Sequence, residues 1–116
     1  MFKINPNPTF TATVTIPVPG GKPEKLKLTF RHKSRDQAKD YFDRIAKEAA
    51  EAIESGKTDD VARERRALEE IVAGWEDVDQ PFSGDALEQL LQNYHGAATA
   101  ILDTFTTELN LARRGN

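Results

Sequence analysis

Two short segments near the start of the chain alternate apolar and polar residues. Residues 9–18, TFTATVTIPV, are apolar at every second position, and residues 25–31, KLKLTFR, repeat the pattern with Leu26, Leu28 and Phe30. Successive side chains point to opposite faces of a strand, so each segment is predicted to be a strand with one apolar face. The PGGKPE between them is rich in turn residues and predicts an antiparallel β-hairpin over about residues 9–31.

After the hairpin the apolar spacing becomes helical. Ser34 and Gln37 stand three residues apart, which is the spacing of a capping box, and Gly56 is a typical residue to end a helix. Between them the apolar residues recur every three or four positions: Ala38, Tyr41, Phe42, Ile45, Ala49 and Ile53. The pattern predicts an amphipathic helix over about residues 35–55.

A second helical pattern covers about residues 59–73. Thr58 is its predicted cap, and Asp59 and Asp60 stand where a helix dipole favours negative charge. One face collects the apolar residues Val61, Leu68, Ile71, Val72 and Trp75. Gly74 is predicted to end this helix.

An acidic loop over about residues 74–82 precedes a third predicted helix at about 84–94. Ser83 is its predicted cap. Phe82 comes just before the cap and Leu87 is the fourth helical residue, which is the spacing of a hydrophobic staple. The helix carries a narrow apolar stripe of Leu87, Leu90, Leu91 and Tyr94.

A fourth helix is predicted at about 97–112, followed by Arg113 and Arg114, whose charges suit the negative end of its dipole. The predicted fold class is therefore α+β: an N-terminal antiparallel β-hairpin followed by about four α-helices, predominantly helical. A length of 116 residues fits one domain, predicted over residues 1–116.

Composition excludes cysteine-based sites and bears on where the protein is located. The chain has no cysteine, so it has no disulfide, thiolate nucleophile or cysteine-bound metal. It has no apolar run of about 18 residues, so no membrane partner is expected. Residues 1–10 lack the apolar stretch of a secretory signal. We expect a cytoplasmic protein.

Charge is distributed unevenly along the chain. Residues 1–33 carry six basic side chains and one acidic side chain, a net charge of +5, whereas residues 74–116 carry two basic and seven acidic, a net charge of −5. We interpret the basic lysines as protection of a sheet edge rather than as a nucleic-acid surface, because the aromatics and glycines of an RNA-binding sheet are missing. The two opposite regions also suggest head-to-tail association into a homo-oligomer.

Candidate catalytic groups are few and scattered. His32 and His95 lie in separate elements, and neither has a histidine partner at metal-binding spacing. The carboxylates stand at helix starts and on charged faces, where solvated groups are expected, and PGGK lacks the GK[ST] ending of a phosphate loop. We therefore expect no catalytic residue, no cofactor and no metal, and we predict that the protein is not an enzyme.

The aromatic residues Trp75, Phe82 and Tyr94 bracket the acidic loop and the third helix. One interpretation places all three in the core. The other gives Trp75 an exposed edge that contacts a partner, because tryptophan anchors many interfaces.

Several short segments resemble the tail assembly chaperones of long-tailed bacteriophages and prophages. They are SRDQA after the predicted hairpin, GWEDVDQPFS around Trp75, DALEQLLQNY, GAATAILDTF and the closing ELNLARRGN. Together they extend over nearly the whole chain.

The resemblance implies a non-enzymatic chaperone that binds the tape-measure protein, keeps it soluble and helps to recruit tail-tube protein. Such chaperones act in the host cytoplasm and are absent from the finished virion. The matching positions are the candidates for partner binding: Trp75, Pro81, Phe82, Leu87, Leu90, Leu91 and Tyr94. The alternative function is a small phage regulatory module that inhibits a host protein.

Overall fold

The computed structural model describes residues 1–57 and 60–109, and it has the predicted α+β architecture. Three antiparallel strands form one sheet in the order β1-β2-β3. Four helices accompany it. In chain order the elements are β1 Thr9–Ile16, β2 Glu24–Arg31, α1 Arg35–Glu54, α2 Val61–Glu69, β3 Val72–Glu76, α3 Gly84–Asn93 and α4 Ala97–Glu108.

The predicted hairpin is confirmed. Strands β1 and β2 pair without interruption from Thr9 opposite Arg31 to Ile16 opposite Glu24. Strand β1 ends at Ile16, because the next residue, Pro17, has no N–H to donate to the strand ladder. In the turn, Gly20 has φ +74°, a conformation that favours glycine.

The end predicted for the second helix, at about residue 73, is wrong. Helix α2 stops at Glu69, and Val72–Glu76 forms strand β3 on the free edge of β2, with a register shift opposite Thr29 and Phe30. The β-branched Ile71 and Val72 suit a strand, and pairing satisfies the backbone groups of β2 that a two-stranded sheet would leave open. Strand β2 is thus central, so its lysines do not protect a sheet edge.

The predicted start of α1 is confirmed, and that of α2 is shifted. The Gln37 N–H donates to the Ser34 hydroxyl at 3.3 Å and the Ser34 N–H donates to the Gln37 side chain at 2.9 Å, which completes the capping box. In α2 the capping side chain is that of Asp60, which accepts a backbone N–H at 3.1 Å. Thr58, the predicted cap, and Asp59 lie outside the described residues.

The end of α1 and the starts of α3 and α4 agree with prediction. Gly56, with φ +76°, follows α1, and Ser83 caps α3 by accepting the Ala86 N–H at 3.0 Å. Helix α4 begins at Ala97 as predicted but ends at Glu108, with Leu109 as its C-cap, before the predicted end at about residue 112. Arg113 and Arg114 lie outside the described residues.

The core lies between the sheet and α4. Phe105 of α4 is fully buried, with ring centroids 5.5 Å from Phe30 and 6.2 Å from Phe10. Tyr41 of α1 meets the same ring edge-on at 6.4 Å. This aromatic cluster joins the hairpin to the last helix, so it closes contacts between the two ends of the described chain.

Helix α1 makes fewer close backbone approaches to the rest of the described fold than the other helices do. Two polar contacts attach it to the segment that contains α2. The Tyr41 hydroxyl donates to the Ala67 carbonyl at 2.6 Å, and the Arg44 guanidinium donates to both carboxylate oxygens of Glu70 at 3.0 and 3.1 Å. Burial raises the pKa of Tyr41, and the hydrogen bonds to Glu70 and Asp40 raise the pKa of Arg44, so both groups keep their protons.

Candidate partner-binding cleft

A cleft of about 390 Å³ opens between the turn end of the hairpin, the connection that follows β3, and α3. The hairpin contributes apolar side chains on one wall, among them Val18 and Leu26, and α3 contributes Leu90 and Tyr94 on the other. These four residues are partly exposed. The cleft therefore offers apolar surface that the core does not use, and we call it the aromatic cleft.

Trp75 forms part of the wall of the aromatic cleft, and two contacts from the following loop orient its ring. It lies on β3 opposite Leu28, not at the end of a helix as predicted, and it is partly buried. Its indole Nε1 donates to the Gln80 carbonyl at 2.9 Å, and the Phe82 ring meets it edge-on at 5.1 Å. Because both contacts come from the following loop, the loop orients the indole while leaving part of it accessible.

Helix α3 divides its predicted stripe between the core and the aromatic cleft. Leu87 and Leu91 are buried in the core and attach α3 to it. Leu90 and Tyr94 line the cleft. The four residues of the predicted stripe therefore contribute to two different surfaces, the core and the aromatic cleft.

The other two candidates lie on the loop before α3. Phe82 is partly buried against the core and braces Trp75, whereas Pro81 is exposed and does not line the aromatic cleft. The staple between Phe82 and Leu87 stays a prediction, although both belong to the same packed cluster.

Acidic side chains form much of the rim of the aromatic cleft. Asp77, Asp79 and Glu24 line it together with one cation, Lys25. Asp77 has φ +59°, in the left-handed region that few residues other than glycine adopt. Sequence reasoning treated these carboxylates as merely solvated. It also missed Val18 and Leu26, because only the folded hairpin brings them opposite α3.

The fold brings the basic and acidic regions of the chain together. Lys27 of β2 lies 3.3 Å from the Glu76 carboxylate on β3, and Lys25 shares the cleft with Asp77 and Asp79. Charges that are far apart in sequence are neighbours across the sheet. The charge argument for head-to-tail association is weakened accordingly, and a homo-oligomer stays a prediction.

The described part of the chain shows no grouping typical of a metal site and no helix that could span a membrane. Within residues 1–57 and 60–109 no three His, Cys, Asp or Glu residues are grouped so that they could hold a metal ion. No helix in those ranges is long and apolar enough to cross a membrane. His32 and His95 are both exposed.

A protein-family model matches the chain over its whole length. The family model described as "Phage tail assembly chaperone" matches residues 1–116. No curated protein and no solved structure matches the chain. The match covers every residue and confirms the resemblance drawn from the sequence segments, so the chain belongs to the phage tail assembly chaperone family.

Proposed function

We propose that this tail assembly chaperone binds the tape-measure protein, keeps it soluble in the host cytoplasm and helps to bring tail-tube protein to it, without catalysis. Membership of the family supports a role in tail assembly. The observation that carries the proposal is the aromatic cleft, where Trp75, Leu90 and Tyr94 leave apolar surface accessible. We assign the tape-measure protein to this cleft.

The aromatic cleft suits the apolar face of an amphipathic segment. Tryptophan and tyrosine contribute large contact areas with little conformational entropy to lose, and they are common anchors of protein interfaces. Trp75 is already oriented by Gln80 and Phe82, so binding does not have to order it. An apolar segment that is covered in this way is withdrawn from aggregation.

The polar rim supports solubility of the complex. Asp77, Asp79 and Glu24 outnumber Lys25 around the aromatic cleft, so the rim is net negative. Such a rim stays hydrated when the apolar centre is covered, and it attracts segments that carry lysine or arginine beside their apolar residues.

The test is co-expression with the tape-measure protein encoded nearby, followed by size-exclusion chromatography with light scattering. The wild-type chain is expected to yield a soluble complex of defined stoichiometry. Leu90→Glu places a charge in the aromatic cleft and is expected to lower the yield of soluble tape-measure protein at least about tenfold. Gln92→Glu places the same side chain on exposed surface of α3, outside the cleft lining, and is the matched control.

Two results would count against the proposal in different ways. If the tape-measure protein stays insoluble beside well-folded wild-type chain, the function is wrong and the regulatory-module alternative gains weight. If Leu90→Glu performs as well as Gln92→Glu, the function stands and the assignment to the aromatic cleft is wrong. Recruitment is tested by adding tail-tube protein to the purified complex, where co-elution of all three proteins is expected.

A further inference from the structure

A second groove, of about 480 Å³, lies between α1, α2 and α4. No residue lines both this helical groove and the aromatic cleft. Large apolar side chains line it at Phe42, Ile45, Leu68 and Leu102. Alanines from all three helices complete its apolar lining: Ala46, Ala49, Ala67 and Ala98. Small side chains let another helix approach closely, because the distance between packed helices depends on the residues at the contact.

The apolar stripe of α1 continues beyond the helical groove onto exposed surface. Ile53 follows Ala49 by four residues, on the same side of the helix, and is 68% exposed. Helix α1 makes fewer close backbone approaches to the rest of the described fold than the other helices do. The apolar surface of the groove therefore continues along about two turns of α1, from Ala46 to Ile53.

One wall of the helical groove carries a buried guanidinium nitrogen that has no hydrogen-bond partner among the described residues. This nitrogen is the Nε of Arg63. Arg65 differs, because its Nε lies 3.2 Å from the Glu88 carboxylate. Glu64, which also lines the groove, has an interaction of its own. A buried N–H donor without an acceptor is costly, so the Nε of Arg63 favours a ligand that supplies an acceptor.

We propose that the helical groove is a docking surface for an amphipathic helix of a protein partner, with a carboxylate in its apolar stripe that pairs with Arg63. A helix fits because all three walls are helices and no free sheet edge lines the groove. The carboxylate follows from the charge of Arg63, and the pairing is a charge-assisted hydrogen bond. This proposal rests on the lining of the helical groove and does not depend on what the aromatic cleft binds.

The test uses two synthetic helical peptides of about 18 residues, roughly 27 Å long. Both carry leucines at helical spacing, and the central position of the stripe is Glu in one and Gln in the other. Fluorescence anisotropy of labelled peptide gives the affinity for the intact protein, and amide chemical shifts locate the site. The Glu peptide is expected to bind about tenfold more tightly, with shifts at Ala49, Ala67 and Ala98.

Variants separate pairing from packing. Arg63→Gln is expected to remove the preference for the Glu peptide, whereas Arg66→Gln, an exposed arginine on the same helix, is expected to keep it. Ala46→Gln adds bulk at an exposed position of the groove lining and is expected to weaken both peptides. Equal affinities for the two peptides, a preference that survives Arg63→Gln, or shifts outside the groove would each overturn the proposal.

Discussion

Helices α4 and α1 have similar apolar patterns, but α4 buries its apolar face in the core whereas α1 leaves part of its face exposed. On one side Phe105 of α4 packs between β1 and β2 and is fully buried. On the other, α1 buries only Ala38, Tyr41 and Ala52 of its 20 residues and leaves Ile53 exposed. An amphipathic stripe therefore does not by itself mean core, because the neighbouring elements decide how much of it is covered.

The same division occurs within α3 on a smaller scale. Leu87 and Leu91 face the core, and Leu90 and Tyr94 face the aromatic cleft. For a chaperone, one helix can in this way serve both the core and a partner. The buried half of each stripe stabilises the fold, and the exposed half remains available to a partner.

The largest expected loss of stability comes from a substitution in the core. Phe105→Ala removes a fully buried ring and should lower the free energy of unfolding by about 3–5 kcal/mol. Phe42→Ala, in the partly exposed lining of the helical groove, should cost only about 1–2 kcal/mol. Urea unfolding followed by circular dichroism measures both. Similar losses for the two variants would contradict the division of the molecule into a packed side and an open side.

The next effect tests the attachment of α1. Tyr41→Phe removes the hydrogen bond to the Ala67 carbonyl while keeping the ring, and should cost about 1 kcal/mol. Amide hydrogen exchange should rise in α1 before it rises in the sheet, because α1 has the fewest close contacts. Exchange that rises equally in both would show that α1 unfolds only with the core.

Alkaline pH provides a check on the same residue. Burial raises the pKa of Tyr41 above its ordinary value of 10.0, so above about pH 10 the unfolded chain loses a proton that the folded chain keeps. Stability of the wild type should therefore fall as pH rises, by up to about 1.4 kcal/mol per pH unit from this group. Tyr41→Phe lacks this component, so the wild-type advantage should shrink with rising pH. An advantage that stays constant to pH 11 would contradict the burial of this hydroxyl.

A comparable loss is expected at the two serine caps. Ser34→Ala and Ser83→Ala each remove a side-chain acceptor at a helix start and should each cost about 1 kcal/mol. Their local effects should differ. The Ser34 variant should loosen α1 alone, whereas the Ser83 variant should also weaken binding at the aromatic cleft, which α3 lines. Tape-measure binding that is lowered equally by both would argue against separate roles for the two helices.

The smallest effect is expected from the ion pair between Arg44 and Glu70. Both side chains are partly exposed, so solvent and salt screen their attraction. Arg44→Gln should lower the unfolding midpoint less than Tyr41→Phe does, and the difference from wild type should vanish in high salt. A loss that exceeds the Tyr41→Phe effect would mean that the pair, not the tyrosine, holds α1.

Much of this fold was predictable from short-range patterns. The hairpin, the capping box of Ser34 and the start of α3 at Ser83 each depend on residues within a few positions of one another. The end of α2 was not predictable in this way. Leu68, Ile71 and Val72 fit a helical face equally well, and the free edge of β2, about 40 residues earlier in the chain, decides that Val72–Glu76 is a strand.

For the aromatic cleft, the sequence alone identified Trp75, Leu90 and Tyr94 as apolar candidates and showed that acidic residues follow the tryptophan. The fold decided that Leu87 and Leu91 turn inward, that Val18 and Leu26 complete the opposite wall, and that Arg63 faces a separate groove. The reason is physical. Periodicity records which residues share a face of one element, but only packing between elements determines which part of that face is covered and which stays open to a partner.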